Sequence, residues 1–285
     1  MIVVTGATGQ LGRLVVDGLL ESVPADQVAA AVRNPGKAAD LAARGVEIRE
    51  ADYDRPETLE RAFATGDTVL LISSDAVGRR LGQHRAVVDA ARAAGVARIA
   101  YTSVLHADTT PLGLAAEHRS TEEHIRASGI PFTFLRNGWY TEVYAASVLQ
   151  GVEHGAILGA AGEGRVASAS RADYAAAAVA ALTGEEDGDK IYELSGDTAW
   201  SLPELAAETS AVSGRPVVYR DLPHADHLRA LIDAGLPEPV ATMYADIDLD
   251  IAQGALSHTP GELSALIGRP TTPLRESVTA ILKEA

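Results

Sequence analysis

The chain has 285 residues, no cysteine, and 24 Lys plus Arg against 39 Asp plus Glu, which gives a formal net charge of −15. The absence of cysteine excludes disulfides, thiolate metal sites and cysteine nucleophiles. So large an excess of acid argues against binding to nucleic acid or to an anionic membrane surface. A hydrophobic fraction of 47% at this length predicts a folded protein with one large domain or two unequal ones.

The amino terminus carries no recognisable targeting signal, because Met1 leads directly into three apolar residues without a basic segment or a cleavage site. No run of about 18 apolar residues occurs, so no transmembrane helix and no membrane insertion are expected. These features predict a soluble, cytoplasmic protein.

The first half of the chain alternates apolar strands with helical patterns. The predicted strands are 2–5, 28–32, 46–49, 68–72, 98–102 and 131–135. The predicted helices are 11–20, 35–43, 56–64, 82–94 and 115–128, with Asn34 as a cap before Pro35. The strands are continuous apolar runs, as expected when helices cover both faces of a sheet. The fold class is therefore α/β, a doubly wound parallel sheet of the Rossmann type with a ligand crevice at the carboxyl ends of its strands.

The second half loses this alternation. Residues 151–164 hold five glycines and are predicted to form a loop, whereas 190–194 are predicted to form another strand. A helix over 201–213 carries a capping-box pattern at Ser201 and Glu204, and breaks are expected at 235–239 and 259–261. We expect a ligand-binding Rossmann domain over 1–135 and a smaller, mostly helical domain over 136–285 that covers the crevice. Part of 165–195 is expected to return to the main sheet.

A glycine-rich segment, Gly6-Ala7-Thr8-Gly9-Gln10-Leu11-Gly12, joins the first strand to the first helix. Gly6 permits a tight turn, Gly9 permits close approach of a pyrophosphate, and Gly12 permits close packing of the helix on the sheet. The first helix offers unpaired N–H groups and the positive end of its dipole to the anion. This position between strand and helix predicts a dinucleotide-binding loop.

Arg33 follows the second strand, where NAD-binding proteins carry an acidic residue for the ribose 2′-hydroxyl. A guanidinium there matches a 2′-phosphate, and Lys37 adds positive charge, so NADP(H) is the predicted cofactor. Asp52, after the third strand, has two interpretations: it accepts a hydrogen bond from the adenine, or it caps the following turn.

The residues expected of an alcohol dehydrogenase are incomplete. Short-chain dehydrogenases use a Ser, together with a Tyr and a Lys four residues apart on a helix. Ser103 fills the first position, but Leu114 and His118 occupy the other two. Alcohol dehydrogenation assisted by a tyrosine is therefore not expected.

The chain resembles the NmrA-like branch of the atypical short-chain dehydrogenases/reductases, and within it the bacterial type-2 NADPH:quinone oxidoreductases. The stretches that carry the resemblance are GATGQLG at 6–12, VRNPGKA at 32–38, LLISS at 70–74, YTSVLHADTTPLGLAAEH at 101–118, LRNGWYTE at 135–142, ASASRADYAAAA at 167–178 and LIGRPTTPLRESV at 266–278.

This resemblance implies an NADPH-dependent enzyme that transfers hydride directly to a small-molecule quinone, without flavin or metal. It also implies the cofactor-binding residues. They are Gly6, Thr8, Gly9, Gln10, Leu11 and Gly12 at the pyrophosphate, Arg33 at the 2′-phosphate, Ser73 and Ser74 at the ribose, Asn137, Gly138, Trp139, Tyr140 and Glu142 past the nicotinamide, and Arg171 from the second half.

Reduction of a quinone leaves a hydroquinone anion, which needs charge stabilisation and a proton rather than a Tyr–Lys acid. His118 or His106 could supply either, and Trp139 and Tyr140 could stack on a planar ring. His118, His106 and Tyr140 are therefore the candidate catalytic residues.

Simpler interpretations exist for each of these features. His118 or His106 could be a solvated surface residue, Ser103 could cap backbone groups, and Trp139 with Tyr140 could be packing residues. His224 and His227 form a conceivable metal pair, but no third ligand has suitable spacing, so no metal site is expected. The alternative function is a non-catalytic NADP-binding redox sensor of the NmrA type, and a homodimer is possible with either function.

Overall fold

The computed structural model describes residues 1–184 and 188–284, which divide into two compact units. The first unit contains residues 1–109, 114–137 and 171–194, and the second contains residues 110–113, 138–170 and 195–285, described as far as residue 284. Segment 171–194 therefore belongs to the same unit as the amino-terminal strands. Among the described residues, no helix is long and apolar enough to cross a membrane.

The first unit is built on a parallel sheet of seven strands within the described chain, in the order β3-β2-β1-β4-β5-β6-β9. Its strands are β1 (Ile2–Thr5), β2 (Val28–Val32), β3 (Glu47–Glu50), β4 (Thr68–Leu71), β5 (Arg98–Val104), β6 (Phe132–Asn137) and β9 (Lys190–Leu194). Each neighbouring pair is parallel, so all carboxyl ends lie at one edge. The predicted doubly wound sheet is confirmed, as is the late strand over 190–194.

The strands are apolar because helices pack on the sheet and bury its strands. The helices of the first unit are α1 (Gln10–Ser22), α2 (Ala39–Ala43), α3 (Pro56–Leu59), α4 (Arg80–Ala94), α5 (Ala115–Ser128) and α7 (Arg171–Thr183). All five residues of β2 are buried, and the core on one side of the sheet includes Val69, Leu71, Ile99 and Phe134. A strand buried on both faces has no solvent-facing positions, which is why polar residues do not alternate with apolar ones.

Two predicted helices of this unit are shorter than expected. Residues 35–38 form a 3₁₀ turn before α2, capped by Asn34 as predicted, since its side chain accepts a hydrogen bond from the Gly36 N–H. The α3 helix ends at Leu59 rather than at residue 64, because the amides of Arg61 and Ala62 bond to carbonyls three residues back. Such tight bonds convert the end of the segment into turns.

The second unit is mostly helical, as predicted. Its helices are α6 (Ala145–His154), α8 (Leu202–Ser213), α9 (His224–Asp233), α10 (Glu238–Ala252), α11 (Glu262–Ile267) and α12 (Leu274–Glu284). It also contains two small sheets, in which β8 (Arg165–Val166) pairs with β10 (Trp200–Ser201) and β7 (Ala156–Gly159) pairs with β11 (Val218–Asp221). The capping box of Ser201 and Glu204 on α8 is confirmed.

The predicted loop over 151–164 is wrong. The α6 helix continues to His154, and residues 156–159 form β7. Gly151 lies inside the helix, where an added Cβ would come within 2.8 Å of the Ile157 side chain. Glycine is present there because of close packing rather than because of a loop.

Candidate active site

The carboxyl edge of the first unit's sheet gathers several residues that the sequence singled out. Gly6 follows β1, Arg33 follows β2, and Ser73 comes two residues after β4. His106 comes two residues after β5, and Asn137 ends β6. In open parallel sheets, ligands bind outside this edge. The fold therefore brings together candidate residues that are far apart in sequence.

The turn between β1 and α1 has the geometry of a phosphate loop. Gly6 adopts a left-handed φ of 59°, and its carbonyl accepts a hydrogen bond from the Gly9 N–H at 2.9 Å. No side chain caps the α1 helix at Gly9, and its first turn holds no acidic residue. Thr8, Gly9 and Gln10 are exposed, while Leu11 and Gly12 are buried. The open, positive helix end can therefore receive an anion.

Gly12 permits the close approach of α1 to this turn. A Cβ at residue 12 would lie 2.3 Å from the Gly6 carbonyl oxygen and 2.8 Å from the Ala7 Cα, and both are backbone atoms. We expect Gly12→Ala to lower the free energy of unfolding by about 1–3 kcal/mol, as overpacking does, and to weaken dinucleotide binding. Gly82→Ala in α4 is the matched control, because nothing lies within 4 Å of its added Cβ. Denaturant unfolding should show Gly82→Ala unchanged or slightly stabilised; equal losses for both variants would contradict the packing role of Gly12.

The end of β2 presents Arg33 to solvent. Its side chain has no hydrogen bond or ion pair with another described residue, and Lys37 is likewise exposed without such a partner. A cation without a protein counter-ion at the ligand edge suits a phosphate. Asp52, in contrast, accepts a hydrogen bond from the Asp54 N–H at 3.1 Å, so the turn-capping interpretation of this residue is confirmed.

Two side chains fix the backbone after β4, where Ser73 and Ser74 were predicted to flank a ribose. The Ser73 N–H donates to Thr102 Oγ1 at 2.8 Å, and the Ser74 N–H donates to His84 Nε2 at 3.0 Å. Because Nε2 accepts, Nδ1 of His84 carries the proton and donates to Thr121 Oγ1 at 3.0 Å. Burial lowers the pKa of the completely buried His84 to about 3, so the ring is neutral at physiological pH.

His118 lies inside the first unit, where only 6% of it is exposed, so the interpretation as a solvated residue is wrong. Arg80 Nη1 donates to its Nε2 at 2.8 Å, and its Nδ1–H therefore donates to the Tyr101 hydroxyl, also at 2.8 Å. Burial, and then the charge of Arg80, lower the pKa of His118 to about 3. Both ring nitrogens are occupied and the ring is neutral, while a catalytic role for His118 stays a prediction.

His106 has an unusual backbone and a carboxylate partner. Its φ of 52° is the one positive value found among the described residues other than glycine. A left-handed residue with a Cβ costs about 1–2 kcal/mol and is common at functional sites. The His106 N–H donates to Glu193 Oε2 at 2.8 Å, and the ring Nδ1 lies 3.6 Å from the same oxygen. The side chain is 31% exposed, so the imidazole is held by the fold and is also accessible.

A buried ion-pair network supports Glu193. Arg136 on β6 donates to Glu193 Oε1 at 2.8 Å and makes a two-pronged contact with Glu122, at 2.9 and 2.7 Å. Burial alone would lower the pKa of Arg136, but hydrogen bonds to Glu122 and Glu193 outweigh it and raise the pKa above its ordinary value. Ser103 donates to Glu122 Oε1 at 2.6 Å, so it contacts a carboxylate rather than capping backbone groups.

The remaining predicted site residues are divided between the units. Arg171 begins α7 of the first unit. Gly138, Trp139, Tyr140 and Glu142 belong to the second unit and are half-buried. In that unit, Tyr140 forms a β-bridge with Ala169, and the Trp139 side chain hydrogen-bonds to Tyr144. Their contact with a cofactor or substrate stays a prediction.

The described residues contain no group of three His, Cys, Asp or Glu side chains arranged to hold a metal ion. The conceivable pair of His224 and His227 instead lies beside acids of α10. His224 Nε2 lies 2.9 Å from Asp246, and His227 Nδ1 lies 3.2 Å from Asp248. These contacts connect α9 to α10 within the second unit.

Sequence reasoning missed Glu193, Arg136, Glu122 and His84. A signal existed for the first two, because each is a charged residue inside an otherwise apolar strand, and such a residue is rarely buried without a partner. Glu122 and His84 lie on helices that also carry exposed polar residues, so the sequence alone gave no indication of their burial.

A parallel sheet of this order with a phosphate loop at its carboxyl edge defines a dinucleotide-binding protein. Residues 6–185 match a family model described as NAD(P)H-binding, and the chain belongs to that family. The resemblance to the NmrA-like branch is confirmed by an Aspergillus flavus oxidoreductase described as containing an NmrA-like family domain, which is 27% identical over 299 residues that cover 99% of this chain and 94% of the relative. A structure of mutant NmrA, with a TM-score of 0.80 at 15% identity, shares the fold.

Two relatives are similar over nearly their whole length. Quinone oxidoreductase 2 of Escherichia coli is 53% identical over 278 residues, which cover 98% of this chain and 97% of the relative. The crystal structure of that NADPH-dependent quinone oxidoreductase with NADPH gives a TM-score of 0.96, covering 99% of this chain and 100% of the other. The Citrobacter sp. triphenylmethane reductase complexed with NADP(H) gives a TM-score of 0.95 at 43% identity, covering 99% and 100%.

Proposed function

We propose that this protein is an NADPH-dependent reductase that transfers hydride directly to a quinone, without flavin. The observation that carries the proposal is the phosphate loop at the carboxyl edge of the sheet, followed at the end of β2 by the exposed Arg33. The proposal is supported by 53% identity to a relative named quinone oxidoreductase 2. A structure described as NADPH-dependent and complexed with NADPH, at 52% identity, favours NADPH as the reductant.

The residues present suit NADPH. The uncapped start of α1 would hold the pyrophosphate, with Gly6, Thr8, Gly9, Gln10, Leu11 and Gly12 forming the loop. Arg33 would pair with the 2′-phosphate, because its guanidinium has no counter-ion among the described residues. Ser73 and Ser74 would lie along the ribose, and Asn137, Gly138, Trp139, Tyr140, Glu142 and Arg171 would complete the site. Each of these assignments is part of the proposal.

When bound, NADPH supplies the hydride that converts the quinone into a hydroquinone monoanion. What the protein must add is orientation, stabilisation of the new phenolate oxygen and one proton. We assign the proton to His106, which is accessible and held beside Glu193. The buried His118 is neutral and fully hydrogen-bonded, so we assign it a structural part in the packing of α4, α5 and β5. The products are the hydroquinone and NADP⁺.

The direct test is oxidation of NADPH by the purified protein with benzoquinone and larger quinones, followed by the loss of NADPH absorbance. We expect turnover without added flavin, and a protein spectrum free of flavin absorbance. Turnover that requires added flavin would contradict direct hydride transfer. Tight NADPH binding without turnover of any quinone would contradict the enzyme and support the alternative, an NmrA-type redox sensor.

Other expectations stay predictions alongside this proposal. They are a cytoplasmic location, the absence of a metal, a possible homodimer, and a stacking role for Trp139 and Tyr140. Dye reduction deserves a parallel assay, because a relative at 43% identity is named a triphenylmethane reductase.

A further inference from the structure

We propose that Glu193 is a positioning residue that holds His106 in its strained, accessible orientation for proton transfer. This inference deepens the proposed quinone reductase and rests on it for the identity of the reaction. Glu193 stands on β9, 87 residues from His106 along the chain, and neither sequence motifs nor the resemblance singled it out.

The two carboxylate oxygens of Glu193 contact different partners, one Arg136 and the other His106. Oε1 accepts from Arg136 Nη1 at 2.8 Å. Oε2 accepts from the His106 N–H at 2.8 Å and lies 3.6 Å from the ring Nδ1. One carboxylate therefore contacts both the main chain and the imidazole ring of His106.

The anchoring of Glu193 is rigid because Arg136 is itself immobilised. The Arg136 side chain is 5% exposed and makes two hydrogen bonds to Glu122, whose side chain is 4% exposed. Asp108, two residues after His106, lies 3.2 Å from Arg136 Nη1. Both ends of the short segment around His106 are thus tied to the same buried guanidinium, directly through Asp108 and indirectly through Glu193.

The backbone of His106 supplies the independent reason for a functional role. A histidine with a φ of 52° persists only where surrounding contacts enforce it, and such outliers cluster at active sites. A purely structural turn at this position would be served better by glycine, which adopts the left-handed region without steric cost. The combination of a rare positive φ, a carboxylate that accepts the His106 N–H and a partly exposed side chain points to use of the imidazole.

In the proposed reaction, a ring proton of the His106 imidazolium moves to the phenolate oxygen of the hydroquinone monoanion, and neutral imidazole remains. Solvent then returns a proton to the ring. The Glu193 carboxylate, whose Oε2 lies 3.6 Å from the ring Nδ1, stabilises the positive charge of the imidazolium. No electrons pass through either residue, so the hydride remains the sole reducing equivalent.

The experiment is a double-mutant cycle with Glu193→Gln and His106→Asn, measured as kcat, KM for NADPH and KM for quinone. An amide cannot offer acceptors to both Arg136 and His106, whereas asparagine tolerates the left-handed backbone. We expect each single variant to lower kcat about 100-fold, the lower end of the range for a lost general acid, with KM for NADPH within about threefold. The double variant should match His106→Asn alone, since Glu193 acts through His106.

Asp67→Asn is the matched control. Like Glu193, Asp67 pairs with an arginine, Arg49 at 2.7 Å, and accepts a backbone N–H, from Ala64 at 2.9 Å, although its side chain is more deeply buried, 4% exposed against 19%. It precedes β4 at the amino edge of the sheet, opposite the candidate site. We expect its kcat to stay at the wild-type value. The positioning role would be overturned if Asp67→Asn lost as much kcat as Glu193→Gln. It would also be overturned if the loss in the double variant equalled the product of the losses in the two single variants.

A second readout needs no turnover. Amide hydrogen exchange at His106 should be protected in the wild-type protein and about 10-fold faster in Glu193→Gln, with Asp67→Asn unchanged. If the wild-type protein reduces no quinone, the proposed function fails, and the exchange data still decide whether Glu193 holds this segment. If exchange at His106 is the same in wild type and Glu193→Gln, the inference fails even though quinone turnover stands.

Discussion

Arg33→Glu is expected to lower kcat/KM for NADPH by about 100- to 1,000-fold, because it removes a charge-assisted pair worth about 1.5–3 kcal/mol and adds repulsion of the 2′-phosphate. The activity with NADH should change little, since the ribose of NADH carries a hydroxyl at the same place. The preference for NADPH over NADH would then disappear or reverse. Initial rates with both cofactors at one quinone concentration measure the effect.

Arg61→Glu is the matched control for this charge reversal. Arg61 is another exposed arginine of the first unit without a partner among the described residues, and it lies in the segment that leads to the amino end of β4. Both variants change the net charge equally, so they share any general electrostatic effect. A loss of NADPH activity in Arg61→Glu as large as in Arg33→Glu would remove the basis for a local 2′-phosphate contact.

Acid is expected to destabilise the first unit well before its carboxylates are protonated. Burial lowers the pKa of both His84 and His118 to about 3, far below the value near 6.5 of an unfolded histidine. The unfolded chain therefore binds more protons than the folded chain between those values, and stability falls as the pH falls below about 6.5. Together the two histidines should lower the free energy of unfolding by about 3 kcal/mol when the pH falls from about 6.5 to 5.

The variant His84→Gln isolates the contribution of His84 to the pH dependence of stability. The glutamine carbonyl can accept from the Ser74 N–H and its amide can donate to Thr121, but the side chain does not titrate. We expect the pH dependence of the free energy of unfolding to weaken by about half of the combined effect, about 1–2 kcal/mol over the same interval. Denaturant titrations across this range would measure it. An unchanged pH dependence in His84→Gln would mean that His84 is not held neutral in the folded protein.

Local sequence was enough to predict the phosphate loop, because its glycines are required by contacts with residues nearby in the chain. The left-handed turn at residue 6 favours glycine. The Gly6 carbonyl, only six residues away, leaves no room for a side chain at residue 12. The buried strands were likewise predictable, since burial on both faces leaves a continuous apolar run. Arg33 could be located by its offset from the loop. The expected glycine-rich loop over 151–164 failed because glycine also serves close packing, which no local pattern distinguishes.

Tertiary structure alone decided how the charged and titratable side chains pair. Glu193 meets His106 across 87 residues, and Arg136 reaches Glu122 and Glu193 from a strand between them. His118 resembled a surface residue because its helix also carries Glu117, Arg119 and Glu123, yet its own position faces Tyr101 and Arg80. Sequence periodicity reports which face of an element is apolar. Periodicity does not indicate which distant polar group forms the hydrogen bond to a buried ring or carboxylate. That pairing depends on the strand order, which brings residues far apart in the chain together.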